Sequence, residues 1–246
     1  MPRVLTFKDA LAEASLSGDP LRLKEMLWPE VLFYDKQEQI IHSVRDSVET
    51  FVTAGNQLGK DFVSGFIALS FFMYPQLYFP GAYVAEVDRM KPPSRFPPHH
   101  RHTRRVITTS TNEKHLNVLW SEIAGFITNA RVLGRDGVSR AAPLLQKNGG
   151  PLHLGAMELR LAVERDEMAT NCKNYLRGMV SQKGESISGH HADYTLIIGD
   201  EASGLDDNVH SFAQGWAKRF LYIGNPNECR NFFRRGVEGG DLTAAK

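Results

Sequence analysis

Two polar segments in this sequence follow the pattern of a phosphate-handling site. In Ala54-Gly55-Asn56-Gln57-Leu58-Gly59-Lys60-Asp61 a glycine loop runs straight into the apolar stretch Phe62 to Tyr74. A loop placed before a helix N-terminus offers backbone N–H groups to phosphate, and Lys60 would add a point charge at the β- and γ-phosphates. The segment fits GxxxxGK[ST] at Gly59 and Lys60 and departs from it at Ala54 and Asp61. Asp61, in place of the usual hydroxyl, could hold Mg²⁺ directly or through water. The second segment, Leu196-Ile197-Ile198-Gly199-Asp200-Glu201-Ala202-Ser203, is an apolar strand ending in adjacent carboxylates. Hydrolysis of a nucleoside triphosphate needs one carboxylate for the Mg²⁺ shell, here Asp200, and one to polarise the attacking water, here Glu201. Each segment alone has an ordinary alternative: an exposed lysine after a turn, or a solvated Asp-Glu pair. Their conjunction points to nucleotide hydrolysis.

Two further amides sit where a nucleotide enzyme could use them. Gly224-Asn225-Pro226-Asn227 follows an apolar run, and an amide at such a strand end can sense the γ-phosphate or the attacking water; the same residues also read as a plain turn. Gln37, in Tyr34-Asp35-Lys36-Gln37, could read an adenine edge or simply face solvent from a helix. Between Arg89 and Arg105 the sequence RMKPPSRFPPHHRHTRR carries six Arg/Lys, three His and four Pro without a carboxylate. The prolines predict a loop. Arg89, Lys91, Arg95, Arg101, Arg104 and Arg105 are its candidate contacts to a DNA backbone or to a neighbouring subunit, such DNA binding being salt-dependent through counterion release. Phe96 is its only aromatic residue among Phe, Tyr and Trp, too little for a single-strand stacking platform.

The elements that must position these residues alternate. Asp19-Pro20 is an N-cap with proline at the first helical position, opening a helix to about Trp28. Lys36 to Val48 suits a second helix, and Thr50 to Ala54 a strand. After the loop comes the buried helix Phe62–Tyr74. Arg105 to Ser110 reads as a strand, with Ser110 and Glu113 as a capping box for a helix that buries Leu116, Leu119, Trp120, Ile123 and Ile127. Residues 151–182 alternate like strands, and Tyr194 to Ile198 is the clearest buried strand. A helix carrying Val209, Phe212, Ala213 and Trp216 and a last strand, Phe220 to Ile223, complete the pattern. Strands alternating with helices predict a parallel α/β sheet with its ligands at the carboxyl ends of the strands.

Composition bounds the rest. The 246 residues hold 29 Lys+Arg against 28 Asp+Glu, a net charge of +1, with 42% apolar and 23% charged residues. That excludes disordered, collagenous and coiled-coil chains and leaves any nucleic-acid contact to a local patch. Cys172 and Cys229 stand alone, so neither a disulfide framework nor a zinc site is indicated. The N-terminus lacks the apolar core of a signal peptide, and Phe62–Tyr74 falls short of the about 20 residues that span a bilayer, so the expected location is cytosolic without a membrane segment.

Taken in order, Tyr34–Gln37, Asn56–Lys60, Val106–Thr111 with Val118–Ile123, Ser188–Asp193, Leu196–Ser203 and Gly224–Asn227 resemble the motifs of the large terminase subunit of tailed bacteriophages, across roughly residues 30 to 235. The resemblance implies an additional-strand, RecA-like P-loop NTPase with a mostly parallel central sheet flanked by helices. It divides the chain into an N-terminal helical segment, 1–30, and an ATPase domain, 31–246, without the C-terminal nuclease domain of full-length members, so DNA cleavage is not expected. The implied activity is hydrolysis of ATP with Mg²⁺ to drive double-stranded DNA into a procapsid, by a homo-oligomeric ring at a capsid portal working with a small terminase subunit in the host cytoplasm. Carried over by position, Lys60 is the phosphate-loop lysine, residues 54–61 the nucleotide cradle, Asp200 the magnesium carboxylate, Glu201 the catalytic carboxylate, Gln37 the adenine reader and Asn225 part of the coupling motif. Family members often place an arginine inside the loop; here Asn56 and Gln57 occupy that stretch, so an arginine acting on the γ-phosphate would come from elsewhere, with Arg177 as candidate. The alternatives are a helicase-like ATPase, for which the chain has no room for a second motor domain, and a nucleotide-gated DNA-binding or assembly module with little turnover.

Overall fold

A computed structural model of the chain describes residues 18–55, 58–79, 103–133, 136–150, 152–161, 173–181, 185–225 and 229–239. Helix α1 (Pro20–Leu27) starts as expected: the Asp19 side chain accepts from the Leu21 N–H at 3.0 Å, and Pro20 occupies the first turn, where its missing N–H costs nothing. Helix α2 (Asp35–Asp46) ends before the expected Val48, because Ser47 is already extended and feeds strand β1 (Glu49–Thr53). Helix α3 (Lys60–Met73) begins at Lys60 itself and is buried almost throughout its length.

Strand β2 (Arg104–Ser110) leads into helix α4 (Glu113–Asn129). The expected cap at Ser110 is corrected: Ser110 is still paired with Val180 in the sheet, so the helix starts later and Asn112 caps it, its side chain accepting from the His115 N–H at 3.1 Å. Strands β3 (Arg131–Leu133) and β4 (Ser139–Ala141) form a separate antiparallel ribbon that the sequence pattern did not announce. Then follow β5 (Leu152–Gly155), β6 (Glu158–Leu161), β7 (Tyr175–Val180), β8 (Tyr194–Asp200), helix α5 (Asp207–Gln214), β9 (Arg219–Gly224) and helix α6 (Phe232–Glu238), the last also unanticipated.

Among the described residues seven strands make one sheet in the order β1-β9-β8-β2-β7-β6-β5. The five from β1 to β7 are parallel, and the β6 and β5 edge is antiparallel. Strand β9 is inserted between β1 and β8, so the glycine loop and the Asp-Glu pair leave the sheet on either side of it. Burial on both faces explains the unbroken apolar runs. On β8, Leu196 and Ile198 join the core with α1 to α4, while Ile197 points to the core with α5 and α6. Helices α3 and α4 pack closely because Gly65 has no side chain; a Cβ there would lie 3.0 Å from Glu122 Cβ and 3.3 Å from the Ile123 nitrogen. Trp28 fixes α1 against them, donating to the Phe126 carbonyl at 2.7 Å. In α5, Val209 and Ala213 are buried as expected, Trp216 is buried just beyond the helix, and Phe212 is 41% exposed. Its helical spacing suggested a buried position, but so short a helix covers the sheet with one narrow stripe.

Candidate functional site

The glycine loop leaves the end of β1 with the Ala54 N–H donating to the Gly224 carbonyl at 3.0 Å, which ties its base to the neighbouring strand. Ala54 is buried, Gly55 half-buried and Leu58 exposed; Asn56 and Gln57 lie outside the described residues. Gly59 has φ of +66°, a left-handed conformation that glycine adopts without strain. A Cβ here would meet the Gln37 amide nitrogen at 2.7 Å. That amide donates to the Gly59 carbonyl at 3.4 Å, while Gln37 Oε1 accepts from the Tyr34 N–H at 3.4 Å and the Tyr34 hydroxyl donates to the Leu58 carbonyl. Gln37 is therefore buried and braces the loop.

At the first position of α3, Lys60 Nζ donates to Glu201 Oε1 and lies 3.3 Å from Asp200 Oδ1. These three side chains are 10%, 16% and 5% exposed, so the contacts are little screened. Burial pushes the Asp200 carboxyl up to about 6, although Lys60 pulls it the other way. Burial by itself would lower the lysine pKa, but the hydrogen bond to Glu201 and the charge of Asp200 outweigh it and raise it. The Asp61 carboxyl is likewise raised by burial, with Lys60 opposing and Glu201 adding to the shift. Asn225, leaving β9, donates from Nδ2 to Glu201 Oε2 at 3.5 Å. The end of each of these three strands thus supplies one component: the lysine through the loop after β1, the carboxylates from β8 and the amide from β9.

Glu201 has φ of +50°, which among the described residues only one other non-glycine residue, Met157, approaches. Such a conformation persists where its surroundings fix it. Here Asn231 does so: its Nδ2 donates to the carbonyls of Ala202 at 2.9 Å, Ser203 at 3.3 Å and Leu205 at 2.7 Å. Gly224 lets β9 approach the same turn, since a Cβ would meet the Ser203 nitrogen at 3.0 Å and the Ala202 nitrogen at 3.1 Å. An open cleft of about 630 Å³ borders this turn, between Thr111, residues 203–207 and residues 229–231, without reaching Lys60 or Asp200.

Two functional candidates escaped the sequence reading. Asn231 falls in no motif and becomes visible only through its three carbonyl partners. His115, on the first turn of α4, has a ring nitrogen grouped with carboxylate oxygens of Asp200 and Glu201, all within 4.8 Å of one another. Asp61 is not in that group, although its carboxyl feels the charges of Lys60, Glu201 and His115.

The basic candidates divide. Arg89, Lys91, Arg95 and Arg101 lie outside the described residues. Arg104 is a correction: it is the first residue of β2, 1% exposed, and its guanidinium donates to the Phe72 and Met73 carbonyls at 3.3 and 2.9 Å, which leaves it no surface for DNA or a subunit. Arg105 is half-buried, donates to the Lys173 and Gly189 carbonyls and lies 5.1 Å over the Tyr175 ring. Arg177, on β7, pairs with Glu158 at 2.5 Å and stacks on Tyr175 at 4.6 Å, so within the chain it is engaged away from the Lys60 site.

No family model and no curated protein matches the chain. Solved structures do. The large terminase ATPase domain of Thermus phage P74-26 aligns with a TM-score of 0.52 and 12% identity, over 86% of this chain and 71% of that one. A substituted mutant of the same domain gives 0.53 and 13% with the same coverage. The large terminase of bacteriophage HK97 aligns at 0.49 and 10%, over 95% of this chain and 42% of that one. With β9 inserted between the loop strand and the carboxylate strand, the fold of this chain, a mostly parallel sheet flanked by helices, is that of the P74-26 large terminase ATPase domain.

Proposed function

We propose that the chain is the ATPase motor of a viral DNA-packaging terminase, hydrolysing MgATP to drive double-stranded DNA into a procapsid. The observation that carries this reading is Lys60 at the head of α3, bonded to Glu201 and 3.3 Å from Asp200, with Asn225 on the far oxygen of Glu201. A lysine in this position exchanges its carboxylate partners for the β- and γ-phosphates when ATP enters the loop. That exchange frees Glu201 to polarise water, and Lys60 stabilises charge on the transferring phosphoryl group. Asn225 and the β9 turn then feel the change at Glu201, which supports a coupling role.

The donor set fits a divalent ion: Asp200 is buried and needs a cation, and once Lys60 turns to phosphate that cation must come from elsewhere. Asp200 would hold Mg²⁺, with Asp61 close by, and the ion would neutralise the phosphate oxygens. Gln37, beside the loop, would read adenine in exchange for its present bonds to Tyr34 and Gly59. Duplex DNA, a homo-oligomeric ring at a capsid portal, a small terminase subunit, an arginine supplied between subunits, with Arg177 as candidate, and a site of action in the host cytoplasm belong to the same reading. Among the described residues no helix is long and apolar enough to cross a membrane.

The test is Mg²⁺-dependent ATP hydrolysis across a range of protein concentrations, with and without duplex DNA, for the wild type, Lys60→Ala and Glu201→Ala. Turnover abolished by both substitutions supports the motor, and a rate per subunit rising with concentration indicates a site completed between subunits. Absence of both turnover and nucleotide binding rejects it in favour of an assembly module.

A further inference from the structure

We propose that His115 is a direct nitrogen ligand of the divalent cation held by Asp200, beside Glu201, giving a mixed imidazole and carboxylate site that favours Mn²⁺ or Co²⁺ over Mg²⁺. This rests on the reading of Asp200 as the metal carboxylate and extends it to a residue outside every motif. The ligand atoms of His115, Asp200 and Glu201 all lie within 4.8 Å of one another. Two donors on one ion at about 2.2 Å each stand at most about 4.4 Å apart, so bringing His115 and Asp200 onto one ion takes small side-chain movements, with Glu201 left to face the ion's water. A positive charge is already held there: the Lys60 ammonium bonds both carboxylates and would leave on phosphate binding.

The backbone is built to hold His115 in this position. Its N–H is fixed by the Asn112 side chain at 3.1 Å, in the turn joining β2 to α4. Strands β2 and β8 run in register, with Thr109 beside Gly199, which places Ser110 next to Asp200. Both belong to the α4 face of the sheet, as alternation from Thr108 requires; Thr108 Oγ1 accepts from Trp120 Nε1 of α4 at 3.0 Å. The Ser110 hydroxyl is fully buried and has no hydrogen-bond partner. A buried hydroxyl without a partner, beside a carboxylate on the same face, is accounted for by a hydrated cation whose water it can bond. Imidazole is a poor ligand for Mg²⁺ and a good one for Mn²⁺ and Co²⁺, which sets the preference.

The experiment is an Mn²⁺ titration of the full chain, followed by the free-ion electron paramagnetic resonance signal, with pulsed measurements of nitrogen coupling to bound Mn²⁺. It is run on the wild type, on Lys60→Ala, which removes the competing ammonium, and with His115→Ala added to each. The expected result is one Mn²⁺ with imidazole coupling, bound more tightly in Lys60→Ala. Replacing His115 should abolish the coupling and weaken Mn²⁺ about tenfold, while Mg²⁺, measured by competition, changes less than about twofold. His115→Gln, with unchanged circular dichroism, should behave as His115→Ala does. Absence of bound Mn²⁺ in both backgrounds, coupling that survives loss of His115, or equal weakening of Mn²⁺ and Mg²⁺ overturns the assignment. Binding of a fluorescent ATP analogue is measured in parallel. Its absence alongside nitrogen-coupled Mn²⁺ rejects the nucleotide reading and leaves the His115 ligand standing.

Discussion

Lys60 Nζ bonds Oε1 of Glu201 while Asn225 Nδ2 bonds Oε2 of the same carboxylate, so both oxygens of Glu201 are held. A carboxylate in that state is a poor base, because its lone pairs and charge are already committed. Phosphate is the group that can draw the lysine away. Under the proposed function, nucleotide entering the loop would compete for that single ammonium and so release Glu201.

This separates the two partners in binding and turnover. Glu201→Gln keeps one acceptor oxygen for Lys60, puts an NH₂ where Asn225 now donates so that the Asn225 amide must turn its oxygen to it, and removes the base, so kcat should fall by about 10²- to 10⁴-fold with nucleotide affinity little changed. Lys60→Ala removes the charge on the phosphates and should weaken ATP binding itself. Equilibrium binding of an unhydrolysed ATP analogue, set beside steady-state kinetics, distinguishes them. Equal loss of affinity in both variants would contradict the arrangement.

Asp200 makes stability depend on pH. Its carboxyl titrates at about 6 in the folded chain, raised by burial from an ordinary value of 3.8. Between about pH 4 and 6 the folded chain keeps a proton that the unfolded chain has released, so ionised Asp200 penalises folding increasingly as pH rises through that window, and fully above it. His210, which burial lowers to about 4, acts in the opposite sense: it adds stability that is lost as pH falls from about 6.5. Comparing Asp200→Asn with the wild type cancels the histidine. The variant should be more stable by about 1–3 kcal/mol at pH 8 without nucleotide, and the gap should close by pH 4. Denaturant titrations at pH 4, 5, 6 and 8 measure it; a gap independent of pH would show that Asp200 is not titrating in this range.

What the sequence reveals of this site is what local pattern encodes. Gly59-Lys60 before an apolar helix and Asp200-Glu201 after an apolar strand are visible because each combines a burial pattern with a chain end. His115 is invisible for the opposite reason. Its neighbours are set by the register of β2 against β8, a pairing between residues about 90 positions apart that no local window contains. Arg104 misleads similarly: within a run of arginines and histidines it reads as solvated, yet the strand that starts there buries it beneath the end of α3. Phe212 shows that helical period alone overstates burial when a helix is only eight residues long.

The placement of Arg104 carries its own expectation. Its guanidinium satisfies carbonyls at the end of α3, and burial lowers its pKa to about 10, so it serves the fold and not a nucleic acid. Arg104→Met should cost about 2–4 kcal/mol, since it leaves buried carbonyls without their donor. In the folded variant, the slope of log affinity for duplex DNA against log salt should equal that of the wild type. A slope reduced by about one would return Arg104 to the DNA surface.

Asn231 tests whether the turn after Glu201 matters to chemistry as well as to folding. Three backbone carbonyls depend on its amide, and one of them belongs to Ala202, the residue after Glu201. The positive φ of Glu201 persists because that turn is held. Asn231→Ala removes the side-chain donor from all three carbonyls, of which Ala202 keeps its bond from the Leu205 N–H, and should lower stability by about 1–3 kcal/mol. It should also lower kcat about tenfold, by loosening the carboxylate that must align water. KM for ATP should stay within about twofold, because Asn231 bonds the turn and neither the loop nor Lys60. Asn231→Asp keeps an acceptor in place of the donor and should not rescue either property. A variant that lost stability with kcat intact would mean that the turn holds Glu201 without this amide.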